Sequence, residues 1–332
     1  MFAAPLFRRW FIAALLVWIF LFLQVTHIDF LLEHWYYPAI MVLGAFVAGS
    51  TPEGGGAVAF PILNIFLQID RSMARDFSLM IQSIGMTSAS LYILSQAADR
   101  KIFKPLLWMI PVCFIGFVLG MQFLQTLPVY IIQALFLSLI TAFAVVYSFA
   151  SHRGCQAQLR KPQQAEWGML LLILLTGGMC ASLFGTGADI ILYTLLVTRF
   201  RMQEKVATQM AIMLMASISI GGFAYRGLVD AALTHYQFQT WLCAYPVVLF
   251  MAPFGALVLS RVNKELMLRG VAILNVMQLA YFLLYNGSAQ KWLWASIFTA
   301  VLTLLFAISL RQLSLNSDNR IKAAETADRN QH

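Results

Sequence analysis

Two acidic residues lie inside long apolar stretches of this 332-residue chain, and each lies beside a group of glycines. Glu53 precedes Gly54-Gly55-Gly56, and Asp189 follows Gly185-Thr186-Gly187. An ionisable side chain is costly to bury in apolar surroundings, so its presence there indicates a function. Three roles are open for each carboxyl group. It exchanges a proton, it binds a cation, or it caps free N–H groups at the start of a helix.

The glycines beside these carboxyl groups are suited to binding an anion through backbone N–H groups. Glycine lets a ligand approach the backbone closely. A helix that restarts after a break also offers free N–H groups and the positive end of its dipole. The predicted anion-binding residues are Ser50, Thr51, Gly54, Gly55, Gly56, Gln82, Ser182, Gly185, Thr186, Gly187, Thr208 and Gln209. The alternative is that the glycines only allow helices to pack closely.

The composition shows which solvent surrounds these residues. Hydrophobic residues make up 61% of the chain and charged residues only 11%, whereas soluble domains carry about 25% charged residues. A soluble core could not bury so much apolar surface, so the chain must lie in a lipid bilayer. The net charge of +8 is concentrated in short loops and tails, which is typical of membrane proteins rather than of nucleic-acid binding. The four cysteines have no metal-binding spacing, and we predict no metal and no cofactor.

Ten apolar segments can be separated along the chain, and about 20 residues are needed to cross a bilayer. They are 10–27, 38–67, 77–98, 105–127, 129–150, 168–198, 205–225, 238–260, 267–286 and 291–310. Segments 38–67 and 168–198 are longer than the others, and each is interrupted. The first is broken at 49–56, and the second is predicted to break at Gly177-Gly178 and at 185–187. Each half has about 13 residues, which is too short to cross.

The basic loops favour re-entrant hairpins over complete crossings for both broken segments. With Arg8-Arg9 in the cytoplasm, a hairpin at 38–67 leaves the basic loop 100–104 in the cytoplasm, as the positive-inside rule requires. A complete crossing would place that loop outside. The same reasoning at 168–198 predicts eight crossings, two hairpins and two cytoplasmic termini. The exceptions to the charge pattern are Arg71, Arg75, Arg226 and Lys291.

The two broken segments are predicted to belong to an internal repeat. At an offset of 131 positions, Gly54 matches Gly185 and Gly56 matches Gly187. At an offset of 135, Pro111 matches Pro246 and Gly120 matches Gly255. Each broken segment is followed by three helices, so the two halves must be inverted relative to each other. Inverted repeats with broken helices are typical of transporters whose site lies where the breaks meet.

The predicted fold is therefore an all-α polytopic membrane protein, with about eight crossing helices and two re-entrant broken helices in two inverted-topology repeats. Its parts are an N-terminal transmembrane helix with an outer loop (1–37), repeat 1 (38–150), a cytoplasmic linker (151–167), repeat 2 (168–286), a last transmembrane helix (287–315) and a cytoplasmic tail (316–332). The tail is predicted to be disordered because it is polar and charged.

Two stretches resemble the TauE/SafE sulfite-exporter family (TSUP). They are Gly54-Gly55-Gly56 followed by Pro61 and Leu63, and Ala-Thr-Gln-Met at 207–210. The two-repeat layout over 38–286 also fits. The resemblance implies a bacterial-type inner-membrane permease for small sulfur-containing or organic anions. The chain departs from the pattern at Leu192, which stands where the first half has its proline, and in having carboxyl groups beside an anion site.

Together, the residues and the resemblance predict a secondary transporter rather than an enzyme. Its expected substrate is a small anion such as sulfite, thiosulfate or an organosulfonate, moved by alternating access around the two glycine-rich breaks. Glu53 and Asp189 are the predicted residues for coupling to a proton or a cation. The expected partners are that anion, the coupling ion and the lipid bilayer, with no nucleic acid. The alternatives are a passive anion channel of the same architecture and a membrane enzyme or assembly subunit.

Overall fold

The computed structural model describes residues 4–148, 156–160, 162–259, 261, 264–285 and 287–329. Within them the chain is helical, apart from loops and one isolated bridge between Gln156 and Met202. Its α-helices are α1 (Pro5–Val25), α2 (Ile28–Glu33), α3 (Tyr36–Ser50), α4 (Gly56–Pro61), α5 (Arg71–Gln96), α6 (Leu106–Phe123), α7 (Val129–Ser148), α8 (Gln164–Phe184), α9 (Ala188–Thr198), α10 (Glu204–Ala224), α11 (His235–Leu259), α12 (Lys264–Leu284) and α13 (Ala289–Arg329). Eight described helices are long and apolar enough to cross a membrane. The all-α polytopic fold is thus confirmed.

The first broken segment folds back on itself. After α3 ends at Ser50, a turn with Gly54 at a left-handed φ of 71° leads into α4. Helical backbone then continues through a π-helical turn, Ile62–Phe66. A Cβ built on Gly55 would lie 3.3 Å from the carbonyl oxygen of Gly44 and 3.4 Å from Cβ of Ala48. Gly55 can lie beside a residue 11 positions earlier only if the chain reverses direction, so this segment is a hairpin, hereafter hairpin 1 (36–66).

The second broken segment is also a hairpin, hereafter hairpin 2 (164–198). Between α8 and α9, Gly185 and Gly187 adopt φ values of 74° and 108°, which favour glycine. A Cβ built on Gly177 would lie 3.2 Å from Cα of Ala188. Farther from the turn, Arg199 pairs with Glu166 at 2.8 Å. The two arms therefore run side by side in opposite directions.

The prediction that hairpin 2 has two short arms is wrong. Its first arm, α8, has 21 residues and is long enough to cross, so α8 is one of the eight candidate spans. Gly177-Gly178 continue this helix instead of breaking it. A Cβ on Gly178 would meet the carbonyl oxygen of Cys113, so this glycine allows α6 to pack closely against α8. The apolar part of α12, Arg269–Leu284, is shorter, so α12 is not one of the eight candidate spans although the sequence predicted a crossing there.

The hairpins enter the helix bundle from opposite ends. Asp76, near the start of α5, accepts a hydrogen bond at 3.0 Å from Arg226, just after the end of α10. The start of α5 and the end of α10 thus lie at the same end of the bundle. Because hairpin 1 leads directly into α5 and hairpin 2 directly into α10, their bases lie at opposite ends. This is the orientation that the predicted inverted repeat requires.

Each half of the chain packs one of its helices against the hairpin of the other half. Helix α11 packs along α3, and α6 packs along α8. A Cβ on Gly255 would meet the carbonyl oxygen of Phe46, and a Cβ on Gly120 would meet the hydroxyl of Ser182. Gly120 and Gly255 are a matched pair in the predicted repeat, and both allow close packing at equivalent contacts.

Three of the basic residues that break the positive-inside pattern belong to one polar cluster. Arg75, only 2% exposed, donates to Asp76 at 2.9 Å. Arg226 donates to Asp76 and, at 2.6 Å, to Asp230. Arg71 donates to the backbone carbonyl of Gln125 at 3.2 Å and follows Asp70 in sequence. Acidic neighbours therefore offset these cations, which explains why they need not lie on the cytoplasmic side.

The last helix continues through a stretch that was predicted to be disordered. Helical backbone extends from Ala289 to Arg329 and so includes 316–329 of the polar tail. Residues 330–332 and residues 149–155 lie outside the described residues. The second range includes Cys155 and the first part of the linker predicted at 151–167.

We expect Gly178→Ala to lower the melting midpoint of the purified protein, whereas Gly168→Ala leaves it unchanged or raises it. Both glycines are in α8, but nothing lies within 4 Å of a Cβ on Gly168. Overpacking costs about 1–3 kcal/mol, while Gly→Ala at an open helical position gains roughly 0.5–1 kcal/mol. Thermal unfolding in detergent measures both. Equal effects would show that α6 does not pack closely on α8.

Candidate functional site

The tips of the two hairpins meet in the middle of the bundle. The Thr186 hydroxyl donates to the backbone carbonyl of Glu53 at 3.2 Å. A Cβ on Gly54 would meet Oδ2 of Asp189 directly and would lie 2.5 Å from Oγ1 of Thr186. Only glycine fits at this position, both because of this contact and because of its positive φ. The space between the tips, where the sequence predicted the site, is therefore a tightly packed junction.

Helix α5 runs past the junction and contributes two polar side chains to it. Nε2 of Gln82 donates to the carbonyl oxygen of Gly185 at 2.6 Å and to the Ser78 hydroxyl at 2.9 Å. A Cβ on Gly56 would meet that same Ser78 hydroxyl, and it would lie 2.7 Å from Cβ of Thr186. Gln82, Gly185, Gly56 and Thr186 were all predicted as site residues, and the structure brings them together.

The carboxyl group of Glu53 is fully buried and points away from the start of α4. Its Oε2 accepts a hydrogen bond of 2.8 Å from Nδ2 of Asn275 in α12. The same nitrogen donates to the carbonyl oxygen of Ile140 in α7 at 3.1 Å. Oε1 of Glu53 has no hydrogen-bond partner among the described residues. Glu53 therefore connects the tip of hairpin 1 to α7 and α12, and it does not cap α4.

The carboxyl group of Asp189 caps the start of α9. Oδ1 accepts hydrogen bonds from the N–H groups of Gly187 at 3.0 Å and Ile190 at 3.1 Å. Oδ2 has no hydrogen-bond partner in the described part of the chain and lies against Gly54. The capping role considered for Asp189 thus agrees with the geometry. An anion would compete with this carboxyl group for the N–H groups of hairpin 2, so hairpin 1 is the better candidate for binding it.

The predicted hydroxyl ligands outside the junction are engaged within their own helices. Each donates to a backbone carbonyl three or four residues earlier. They are Ser50, Thr51, Ser182 and Thr208. Gln209 lies half-buried on α10. None of these five residues makes a described side-chain hydrogen bond across the junction.

Sequence reasoning missed three buried polar residues, two of which contact residues at the hairpin tips. Ser78 contacts both Gln82 and Gly56, and the offset of 131 matches it with Gln209. Asn275 is fully buried against Glu53, and Gln278, three positions later, is only 2% exposed. Asn275 and Gln278 are three positions apart and therefore lie on one face of an apolar helix. This spacing is visible in the sequence and could have indicated a buried polar contact.

The junction is closed in this conformation. A cavity of about 10 Å³ lies at the tip of hairpin 1, lined by Gly55, Gln82 and residues of α3, α5 and α11. This volume holds about one water molecule, so a sulfur oxyanion does not fit without movement. A larger groove of about 440 Å³ between α3 and α12 reaches Ser50 and Thr51.

Comparison with known proteins identifies one family. The family model described as Sulfite exporter TauE/SafE matches residues 37–283. The matched region includes hairpin 1 from its second residue, all of hairpin 2 and every residue that meets at the junction, and it confirms the resemblance seen in the sequence. No curated protein and no solved structure gives a significant match. In the described ranges, no group of three or more His, Cys, Asp or Glu residues is arranged to hold a metal ion.

Proposed function

Because the chain belongs to the sulfite exporter TauE/SafE family, we propose that it is a secondary transporter of a small sulfur-containing oxyanion. Sulfite, thiosulfate and organosulfonates are the substrates to test. The observation that carries this proposal is the meeting of two hairpin tips that enter from opposite ends of the bundle. Transporters with broken helices bind substrates at such meeting points. The family supports a bacterial-type inner membrane as its location, and the basic loops support a cytoplasmic side for both termini.

The proposed anion site is the tip of hairpin 1. Helical backbone begins at Gly56 and continues to Phe66. The N–H groups of Ala57 and Val58 donate to the carbonyl oxygens of Gly54 and Gly55 at 3.4 and 3.2 Å, whereas those of Gly55 and Gly56 have no acceptor among the described backbone contacts. These groups and the positive end of the helix dipole favour an anion. Gly54 and Gly55 leave the backbone accessible, and the Glu53 carboxyl group is turned towards Asn275. The hydroxyls of Ser78 and Thr186 are close enough to assist.

A carrier agrees with the closed junction better than a channel does. The cavity of about 10 Å³ at the first tip must enlarge before an oxyanion enters. We propose that the two halves rock against each other, so that the junction opens to one side at a time. A passive channel of the same architecture would need a continuous polar path past Gln82 and Thr186, which pack directly against the first tip.

Purified protein in proteoliposomes is expected to take up ³⁵S-labelled sulfite or thiosulfate at a rate that saturates with concentration. Unlabelled sulfite, thiosulfate, taurine, sulfoacetate and acetate then serve as competitors to rank the substrates. Saturation and counter-transport of one anion against another indicate a carrier. A flux that rises linearly with concentration and gives single-channel currents would support the channel. Absence of uptake for every sulfur anion would overturn the proposal.

A further inference from the structure

Three oxygen atoms from different parts of the fold converge beside Gly54. They are Oδ2 of Asp189, Oγ1 of Thr186 and Oε1 of Gln82, and all lie within 2.9 Å of the position that a Cβ on Gly54 would take. Asp189 and Thr186 are 0% exposed and Gln82 is 2% exposed. A carboxylate, a hydroxyl and an amide oxygen thus face one another, away from water.

Among the described residues, these oxygens outnumber the hydrogen-bond donors that reach them. Oδ2 of Asp189 and Oε1 of Gln82 both have no partner. The Gln82 amide is held in this orientation because its nitrogen donates to Gly185 at 2.6 Å. The Thr186 hydroxyl has a single hydrogen, which donates either to the carbonyl oxygen of Glu53 at 3.2 Å or to the Asp189 carboxylate. A buried hydrogen-bond acceptor without a donor raises the free energy of the folded protein. Because several such acceptors lie together here, a positive charge among them would be favourable.

We propose that these three oxygens bind one sodium ion, which is the coupling ion of the transporter. Carboxylate, hydroxyl and amide oxygens are hard ligands that suit hard cations. A monovalent ion matches the single negative charge of Asp189, whereas a divalent ion would leave a buried excess positive charge. Because the three oxygens crowd together around Gly54, little room is left between them, which favours a small ion over a large one.

The ion would connect the two halves of the molecule. Gly54 belongs to hairpin 1, Thr186 and Asp189 to hairpin 2, and Gln82 to α5. Sodium would neutralise Asp189 next to the proposed anion site, so that the carboxyl group no longer repels the substrate. This coupling rests on the proposed function, but binding of the ion does not depend on it.

Thermal unfolding of the purified full-length protein tests the site. In NaCl, we expect the melting midpoint to rise by on the order of 5 °C relative to N-methyl-D-glucamine chloride at equal ionic strength. Asp189→Asn should lose this shift. Thr186→Val should raise the half-maximal sodium concentration by about tenfold, as loss of one ligand does. Thr194→Val is the matched control, because its hydroxyl donates within α9 to Ile190 at 2.8 Å and its sodium response should be unchanged.

Each outcome decides for or against the site. If Asp189→Asn does not fold, the contrast between Thr186→Val and Thr194→Val still tests it. Equal stabilisation in both salts, or an equal sodium response of these two threonine variants, would overturn the proposal. A midpoint that depends on pH but not on sodium would also overturn it and would assign a proton to these oxygens. Sodium binding without transport of any sulfur anion would overturn the proposed function alone.

Discussion

Gly55→Leu is expected to abolish sulfite uptake, whereas Gly55→Ala should keep most of it. Gly55 has a negative φ of −70°, so a side chain causes no backbone strain. A Cβ there would lie 3.3 Å from the Gly44 carbonyl oxygen and 3.6 Å from Cγ of Gln82, so one methyl group needs only a small shift. The three further carbons of leucine exceed the cavity of about 10 Å³. They would fill the tip where we propose that the anion binds.

Initial uptake rates in proteoliposomes measure this effect, with size-exclusion profiles and melting midpoints as controls for folding. The alanine variant separates a blocked tip from a general need for glycine at this position. Wild-type uptake by Gly55→Leu would show that the anion does not pass hairpin 1. Loss of uptake in both variants, with folding intact, would show that backbone freedom at this residue matters more than space.

The membrane fold could be predicted because its signals are local. Composition alone identifies the solvent, and proline with successive glycines cannot continue a helix. A few adjacent residues were therefore enough to predict the break that the structure has at 51–55. The charges of the loops were enough to predict that the chain reverses direction there. The break predicted at Gly177-Gly178 was wrong for a non-local reason. One glycine in a helix costs only about 1 kcal/mol, and the packing of Cys113 in α6 against Gly178 explains its presence.

The candidate site was predictable to the extent that its residues lie at the breaks. Gly54, Thr186 and Asp189 were identified from spacing, and Gln82 from its position near the first break. The hydrogen bond between Glu53 and Asn275 joins residues 222 positions apart, and no local pattern predicts it. The hydroxyls of Ser50 and Thr208 were expected at the site, but in helices such hydroxyls commonly bond to the preceding turn.

Asp76→Asn should be among the most destabilising single substitutions in this protein. Asp76 is 1% exposed and accepts hydrogen bonds from Arg75 at 2.9 Å and from Arg226 at 3.0 Å. Gln237 in α11 donates to it at 3.3 Å. Asparagine keeps the shape but removes the charge, which leaves two arginines without their shared counterion. Breaking a buried ion pair from one side costs about 3–5 kcal/mol, so we expect the melting midpoint in detergent to fall by about 10 °C.

Asp230→Asn is the matched control, because Asp230 also pairs with Arg226, at 2.6 Å, but is 25% exposed. Exposed pairs contribute about 0–1 kcal/mol, so its midpoint should fall by a few degrees at most. Removing one excess cation by Arg226→Gln should partly rescue Asp76→Asn, and a double-mutant cycle measures that coupling. Equal losses for Asp76→Asn and Asp230→Asn would contradict this interpretation. In that case the ion pairs of Asp76 would not be the main contact between the start of α5 and the end of α10. That contact is the one from which the opposite orientation of the two hairpins was inferred.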